Sequence, residues 1–142
     1  MRITFLTLFL FAINVSMAQT PIDGLQKDNL KYLESKESEG YEFRSQIITE
    51  FDQANASQDV NIKLSKDYTY VVVAISDSNI PKIALHIKNS KNATLKELTI
   101  GDGISGQALE LKPDKSGRFK ISIKADLSDS KTGFISFMVL RK

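Results

Sequence analysis

The stretch that decides the fold is residues 68–77, which read YTYVVVAISD. It is the densest run of β-branched and aromatic residues after the N-terminal leader, and such residues favour strands. Side chains of a strand alternate between its two faces. The two rows here are Tyr68, Tyr70, Val72 and Ala74, and Thr69, Val71, Val73 and Ile75. Both rows are largely apolar, which predicts a central strand covered on both faces. We expect the row that begins with Thr69 to face a second sheet and the tyrosine row to lie under another cover.

A helix near the N-terminus can supply that second cover. Residues 25–39 contain no proline or glycine and are rich in Lys, Glu and Leu, with Asp23 before them as a candidate N-cap and Gly40 after them. The apolar stripe of this segment consists of Leu25, Leu30, Tyr32 and Leu33. Because an isolated helix of this length is marginal in water, we expect it to dock on the strand at 68–77.

From Tyr41 onward the hydrophobic period is two, which is typical of strands. Tyr41, Phe43, Ile47 and Phe51 share one parity of a long first strand, and the last strand, 133–140, is apolar on both parities, so we place it beside 68–77. Turn signals separate about eight strands, a spacing that indicates a β-sandwich or barrel. The predicted fold is all-β: an antiparallel, jelly-roll-like β-sandwich with one N-terminal amphipathic helix packed on a sheet face.

The order of these elements resembles the bacterial pre-peptidase C-terminal (PPC) domain and its jelly-roll-like relatives in small exported proteins. The resemblance lies in 64–77, in 83–88 and in 109–123, where an apolar strand, a proline, the turn glycine Gly117 and the aromatic Phe119 precede the final strands. It covers residues 41–140. It implies a jelly-roll β-sandwich, brings no catalytic residue with it, and suggests a stand-alone domain, since no protease segment accompanies it.

The first residues have the pattern of a secretory signal peptide. Met1-Arg2 is positively charged, residues 3–15 are apolar except for Thr4, Thr7 and Asn14, and Ser16 and Ala18 are small residues at the −3 and −1 positions of a cleavage site. A retained membrane anchor is the alternative, but its apolar core is shorter than the roughly 20 residues that a spanning helix needs. We therefore predict a signal peptide at 1–18, a helical segment at 19–40 and a β-sandwich at 41–142, in an exported protein, periplasmic or secreted, with no membrane span after cleavage.

Composition excludes several functions. The 142 residues include no cysteine, so a disulfide, a thiolate zinc site and a thiol nucleophile are all excluded. The 19 Lys and Arg against 17 Asp and Glu are spread evenly along the chain, and without a basic run we expect no nucleic-acid partner. His86 is the only histidine, and no nucleophile motif accompanies it. We expect His86 at the surface or between a sheet and the helix.

Two loops are the best places to look for a site. Asp77, Asn79 and Asp102 are candidate calcium ligands, because calcium takes oxygen ligands from such loops. Bonding of the local backbone is the favoured interpretation of these side chains. The glycine-rich loop at 101–106 lacks the Lys-Ser/Thr pair of a phosphate-binding loop and is read as a hairpin connection.

The predicted function is that of an exported, non-catalytic β-sandwich that binds a protein, a glycan or an envelope component, without a cofactor. Binding requires a contiguous apolar, aromatic or calcium-lined surface. One alternative is a small hydrolase that uses loop carboxylates, which requires two carboxyl groups about 5–10 Å apart in a cleft. The other is a purely structural envelope protein. The sequence leaves the oligomeric state open.

Overall fold

The computed structural model describes residues 21–101 and 106–142. Within these ranges the chain forms one helix and eight strands. The helix is α1 (Pro21–Ser38), and the strands are β1 (Glu42–Asp52), β2 (Ser57–Leu64), β3 (Tyr70–Ser76), β4 (Lys82–Lys88), β5 (Thr94–Ile100), β6 (Gly106–Leu111), β7 (Gly117–Asp126) and β8 (Thr132–Arg141). The predicted signal peptide lies outside the described residues. Among the described residues, no helix is long and apolar enough to cross a membrane.

The strands form two four-stranded sheets. Sheet A has the order β1-β8-β3-β6 and sheet B the order β2-β7-β4-β5, and every pairing is antiparallel. Every connection except that between β4 and β5 passes from one sheet to the other, and this strand order is that of an eight-stranded jelly roll. The fold predicted from sequence is confirmed, including the position of β8 beside β3.

Strand β3 is buried along its whole length, with a different cover on each face. Tyr70, Val72 and Ala74 point into the core between the sheets, whereas the row of Val71, Val73 and Ile75 lies under α1. The prediction for the two rows was therefore wrong, and the rows are exchanged. Tyr70 explains the difference, because a buried tyrosine needs a partner for its hydroxyl. At the end of the sandwich that hydroxyl accepts a hydrogen bond from the Ser65 backbone N–H at 2.9 Å.

The helix ends where the sequence predicts. Gly40 has a φ of 87°, its N–H donates to the Glu37 carbonyl at 2.9 Å, and the Tyr41 N–H donates to the Lys36 carbonyl at 3.0 Å. This pair of bonds is a Schellman motif, which favours glycine at the left-handed position. The helix begins earlier than predicted, at Pro21 instead of after Asp23. Proline is well tolerated in the first helical turn, where its missing N–H costs no bond.

A β-bulge divides β1 into two parts. Its register with β8 shifts between Phe43 and Ser45, so that Arg44 is the extra residue. Past the bulge, Ile47 and Phe51 point into the sandwich. Before it, Phe43 pairs with Leu140, a residue of the cluster under α1. The single parity predicted for Tyr41, Phe43, Ile47 and Phe51 is therefore wrong, because one inserted residue exchanges the faces of a strand.

Candidate binding groove between α1 and β1

A groove with a volume of about 350 Å³ lies on the outer face of sheet A, between α1 and β1. The residues that line it are Gln26, Asn29, Leu30, Leu33, Phe43, Gln46 and Met138. None of them has a titratable side chain. The groove is therefore apolar, with neutral amides at its edges, and it is suited to binding rather than to acid–base chemistry.

The position of the helix on the sheet creates this groove. The helix packs mainly on β8 and β3 and only partly covers β1, which is the outer strand of the sheet. Leu30 follows Leu25 by five residues, which turns it about 140° around the helix axis, away from the buried face and toward the side of the helix. Leu30 is 58% exposed and Phe43 is 44% exposed. Few large apolar side chains in the described part of the chain are exposed to this extent. Together they form a contiguous apolar surface.

A buried polar cluster lies at the base of the groove. The Asn29 side-chain amide donates to Ser136 Oγ at 2.8 Å, and the Ser136 hydroxyl lies 3.0 Å from Asn29 Oδ1. Gln46 Nε2 donates to the same hydroxyl at 3.1 Å. Asn29 is 4% exposed and Ser136 is fully buried, so each needs the other as a partner. The cluster joins α1, β1 and β8 and fixes the helix at one position along the sheet.

Two tyrosines hold the far side of the helix. The Tyr32 hydroxyl donates to the Gly106 carbonyl at 2.6 Å, and a Cβ on Gly106 would lie 3.2 Å from the Tyr32 ring. Beyond the helix, the Tyr41 hydroxyl donates to the Glu110 carboxylate. Burial and the nearby negative charge of Glu110 raise the pKa of Tyr41 to about 12. The helix is thus attached on the side of β6, and the groove opens on the opposite side, along β1.

The calcium candidates do not form a metal site within the described residues. Asp77 Oδ1 accepts the Asn79 N–H at 3.0 Å and Asp77 Oδ2 accepts the Phe134 N–H at 2.9 Å, so both oxygens bond the backbone. Asp102 lies outside the described residues, as does most of the loop at 101–106. In residues 21–101 and 106–142, no group of three or more His, Asp or Glu side chains could hold a metal ion. The two bonds of Asp77 agree with the favoured interpretation, bonding of the local backbone, and calcium binding stays the untested alternative.

His86 is on the outer face of sheet B, the sheet that does not carry the helix. Its Nδ1 lies 3.8 Å from Glu97 Oε2 of the neighbouring strand, and its side chain is 35% exposed. His86 is therefore a half-buried residue at the surface. Of the two positions expected for it, at the surface or between a sheet and the helix, it occupies the first.

The fold places charges that are evenly spread along the sequence on different surfaces. The outer face of sheet B is basic, with Asp59, Glu97 and Asp126 as its acidic residues. Its basic residues are Lys63, Lys82, Lys88, Arg118, Lys120 and Lys124. The Ser122 hydroxyl and the Lys120 ammonium hold the pKa of Asp59 below its usual value. By contrast, α1 and β1 carry more acidic than basic residues.

Sequence reasoning did not find the groove. The apolar stripe predicted for the helix includes Leu30, and the parity predicted for the first strand groups Phe43 with Ile47 and Phe51. A signal was present for Leu30, since its spacing from Leu25 fits the buried face of a helix poorly. Nothing in the sequence marks the bulge at Arg44 that turns Phe43 outward.

No protein-family model matches this chain, and no curated protein matches it in sequence. Solved structures with a similar fold include a periplasmic inhibitor of g-type lysozyme, PliG from Aeromonas hydrophila, at 14% identity and a TM-score of 0.49, over 69% of this chain and 85% of that one. TmCBM61 in complex with β-1,4-galactotriose is 19% identical with a TM-score of 0.36, over 72% and 69%. A glycosylation-associated protein complex (Gap123) from Streptococcus agalactiae is 17% identical with a TM-score of 0.37, over 72% and 24%. The strand order of the two sheets, rather than these likenesses, establishes the jelly roll.

Proposed function

We propose that this protein is an exported, non-catalytic binding module that holds its partner in the groove between α1 and β1. The observation that carries the proposal is the contiguous exposure of Leu30 and Phe43 beside a groove of about 350 Å³. Exposed apolar surface is costly to leave in water, and a concave apolar surface with a few polar groups is the usual form of a binding site.

The lining of the groove favours binding over hydrolysis. A hydrolase that uses carboxylates needs a pair of them in its cleft, and the groove presents only amides, aliphatic side chains and one phenylalanine. A purely structural protein would have no need to leave Leu30 58% exposed on an otherwise polar helix surface.

Two parts of the proposal rest on sequence alone. Export rests on the predicted signal peptide at 1–18. The proposed relation to PPC domains rests on the turn that leads into β7, with Gly117 and Phe119.

Matched substitutions test the proposal. Leu30→Gln alters the groove, and Leu95→Gln makes the same chemical change at another exposed leucine, 42% exposed on the outer strand of sheet B. Both should leave the free energy of unfolding within about 0.5 kcal/mol of wild type, because both side chains are exposed. Binding should be measured to a peptide array, a glycan array and vesicles of bacterial lipid.

We expect at least one class to bind wild type and Leu95→Gln equally. Leu30→Gln should bind at least tenfold more weakly, since burying a leucine contributes about 1.5–3 kcal/mol and about 1.4 kcal/mol is a factor of ten in affinity. A binding role for the groove would be refuted if Leu30→Gln and Leu95→Gln lost affinity equally, or if no peptide, glycan or lipid vesicle bound the wild-type protein.

A further inference from the structure

The groove lies beside an unpaired sheet edge. Strand β1 is at the end of sheet A and pairs with β8 on one side only. Along its other edge, alternate backbone N–H and C=O groups have no strand partner within the described residues. Edge strands are commonly protected from pairing by charged residues, by proline, by a β-bulge or by being short. β1 is 11 residues long and has no lysine or proline, and its bulge lies before Ser45, so the register from Ser45 to Asp52 is regular.

The open edge and the apolar groove belong to the same surface. Phe43 and Gln46 line the groove and are part of β1. A further strand would lie about 4.8 Å beyond β1. Every second side chain of that strand would stand beside Phe43 and Gln46, on the side of the sheet that carries Leu30. A polypeptide could therefore use both features together, with its backbone on the edge and its apolar side chains in the groove.

The charges at the two ends of the groove define the partner further. Glu37 follows Leu33 by four residues and so lies on the same side of α1, close to where the chain enters β1. Glu50 follows Gln46 by four residues and so lies on the same face of β1, at the other end. Neither carboxylate forms an ion pair within the described part of the chain. Arg44, in the bulge, is the only basic residue of β1.

We propose that the partner is an extended polypeptide segment that adds to β1 as a fifth strand of sheet A. Its central apolar side chains lie in the groove against Leu30 and Phe43, and its basic residues face Glu37 and Glu50. The proposal deepens the proposed function and rests on it. A second copy of this chain fits less well, because β1 itself is acidic, with Glu42, Glu50 and Asp52 against Arg44.

The probe is an array of seven-residue synthetic peptides with blocked ends. Positions three and five are varied among Leu, Val, Ile, Phe, Met and Ala, the two end positions among Lys, Arg, Ser and Glu, and the other positions are Thr. In an extended peptide the varied side chains then lie on one face. We expect the best binders to have large apolar centres and basic ends, with glutamate at both ends weakening binding about tenfold through loss and reversal of the ion pairs.

Two further measurements test the geometry. Hydrogen exchange should slow at alternate amides from Gln46 to Glu50, which is the signature of strand pairing, and methylating the peptide's alternate backbone nitrogens should abolish binding. Glu37→Gln with Glu50→Gln should remove the preference for basic ends, whereas Glu97→Gln on sheet B, the matched control, should keep it.

The outcomes separate this proposal from the proposed function. If glycans or vesicles bind in a Leu30-dependent way and no peptide does, the strand-addition proposal is wrong and the binding function stands. Peptide binding without alternate amide protection, or without a preference for basic ends, also refutes it. A concentration-dependent dimer that protects the same amides in the absence of peptide would assign the edge to a second copy instead.

Discussion

The hydrogen-bonded pair of Asn29 and Ser136 should be energetically coupled, because each residue is the other's main partner in a buried site. Asn29→Ala removes the amide that makes both bonds with the Ser136 hydroxyl, at 2.8 and 3.0 Å. Leaving a buried polar group without its partner costs about 1–3 kcal/mol. The hydroxyl keeps its bond from Gln46 at 3.1 Å, so we expect a loss of about 1–2 kcal/mol, within that range.

Ser136→Ala should cost a similar amount, since it leaves the buried amide of Asn29 without a partner. In the double variant neither unpaired group is present. It should therefore cost little more than either single change, with a coupling free energy of about 1–2 kcal/mol between the two sites.

Urea unfolding of the four proteins, followed by circular dichroism, measures the free energies of unfolding for this cycle. Gln46→Ala is the control: Gln46 is exposed, water can replace its bond, and the loss should stay below about 1 kcal/mol. If the two single losses simply add in the double variant, the pair is not coupled, and its role in fixing the helix on sheet A is wrong.

Two more predictions follow from close packing and from the buried phenol. Gly133→Ala should destabilise the protein by about 1–3 kcal/mol through overpacking, because its Cβ would lie 2.5 Å from Ile80 Cγ1. The loss measured by urea unfolding should shrink in an Ile80→Ala background, and an equal loss in both backgrounds would exclude this clash as the cause. Because the folded-state pKa of Tyr41 is raised to about 12, from about 10 in the unfolded chain, its protonated form stabilises the fold fully below pH 10. That contribution is lost as the pH rises toward 12. An absorbance titration of phenolate should show a transition near pH 12 that Tyr41→Phe removes, and an unchanged titration in that variant would contradict the assignment.

The architecture was predictable from sequence because of particular residues. Both side-chain rows of β3 are apolar, so each of its faces required a cover. β8 is also apolar on both faces, which placed it beside β3. Gly40 ended the helix because only a residue that tolerates a positive φ closes a Schellman motif without strain.

What the sequence could not predict depends on small geometric differences. The two rows of β3 are almost equally apolar, so hydrophobicity could not decide which faced α1; the hydroxyl of Tyr70 decided it. The groove exists because α1 packs mainly on β8 and covers β1 only partly, a lateral position fixed by Asn29 and Ser136. Neither residue stands out in a hydrophobic pattern, and so the candidate site was missed while the fold was found.

The strand order also has a consequence for how the chain acquires its structure. β1 pairs with β8, and β3 pairs with β6 and β8, so the first and central strands of sheet A depend on the last strand to be synthesised. Such a high contact order slows folding, because long loops must close before their contacts form. Until β8 is in place, the edge of Tyr70–Ser76 that pairs with it is open, and an apolar strand with an open edge is prone to aggregate. If the chain crosses a membrane unfolded under the predicted leader, β8 would join β1 to β3 only after translocation.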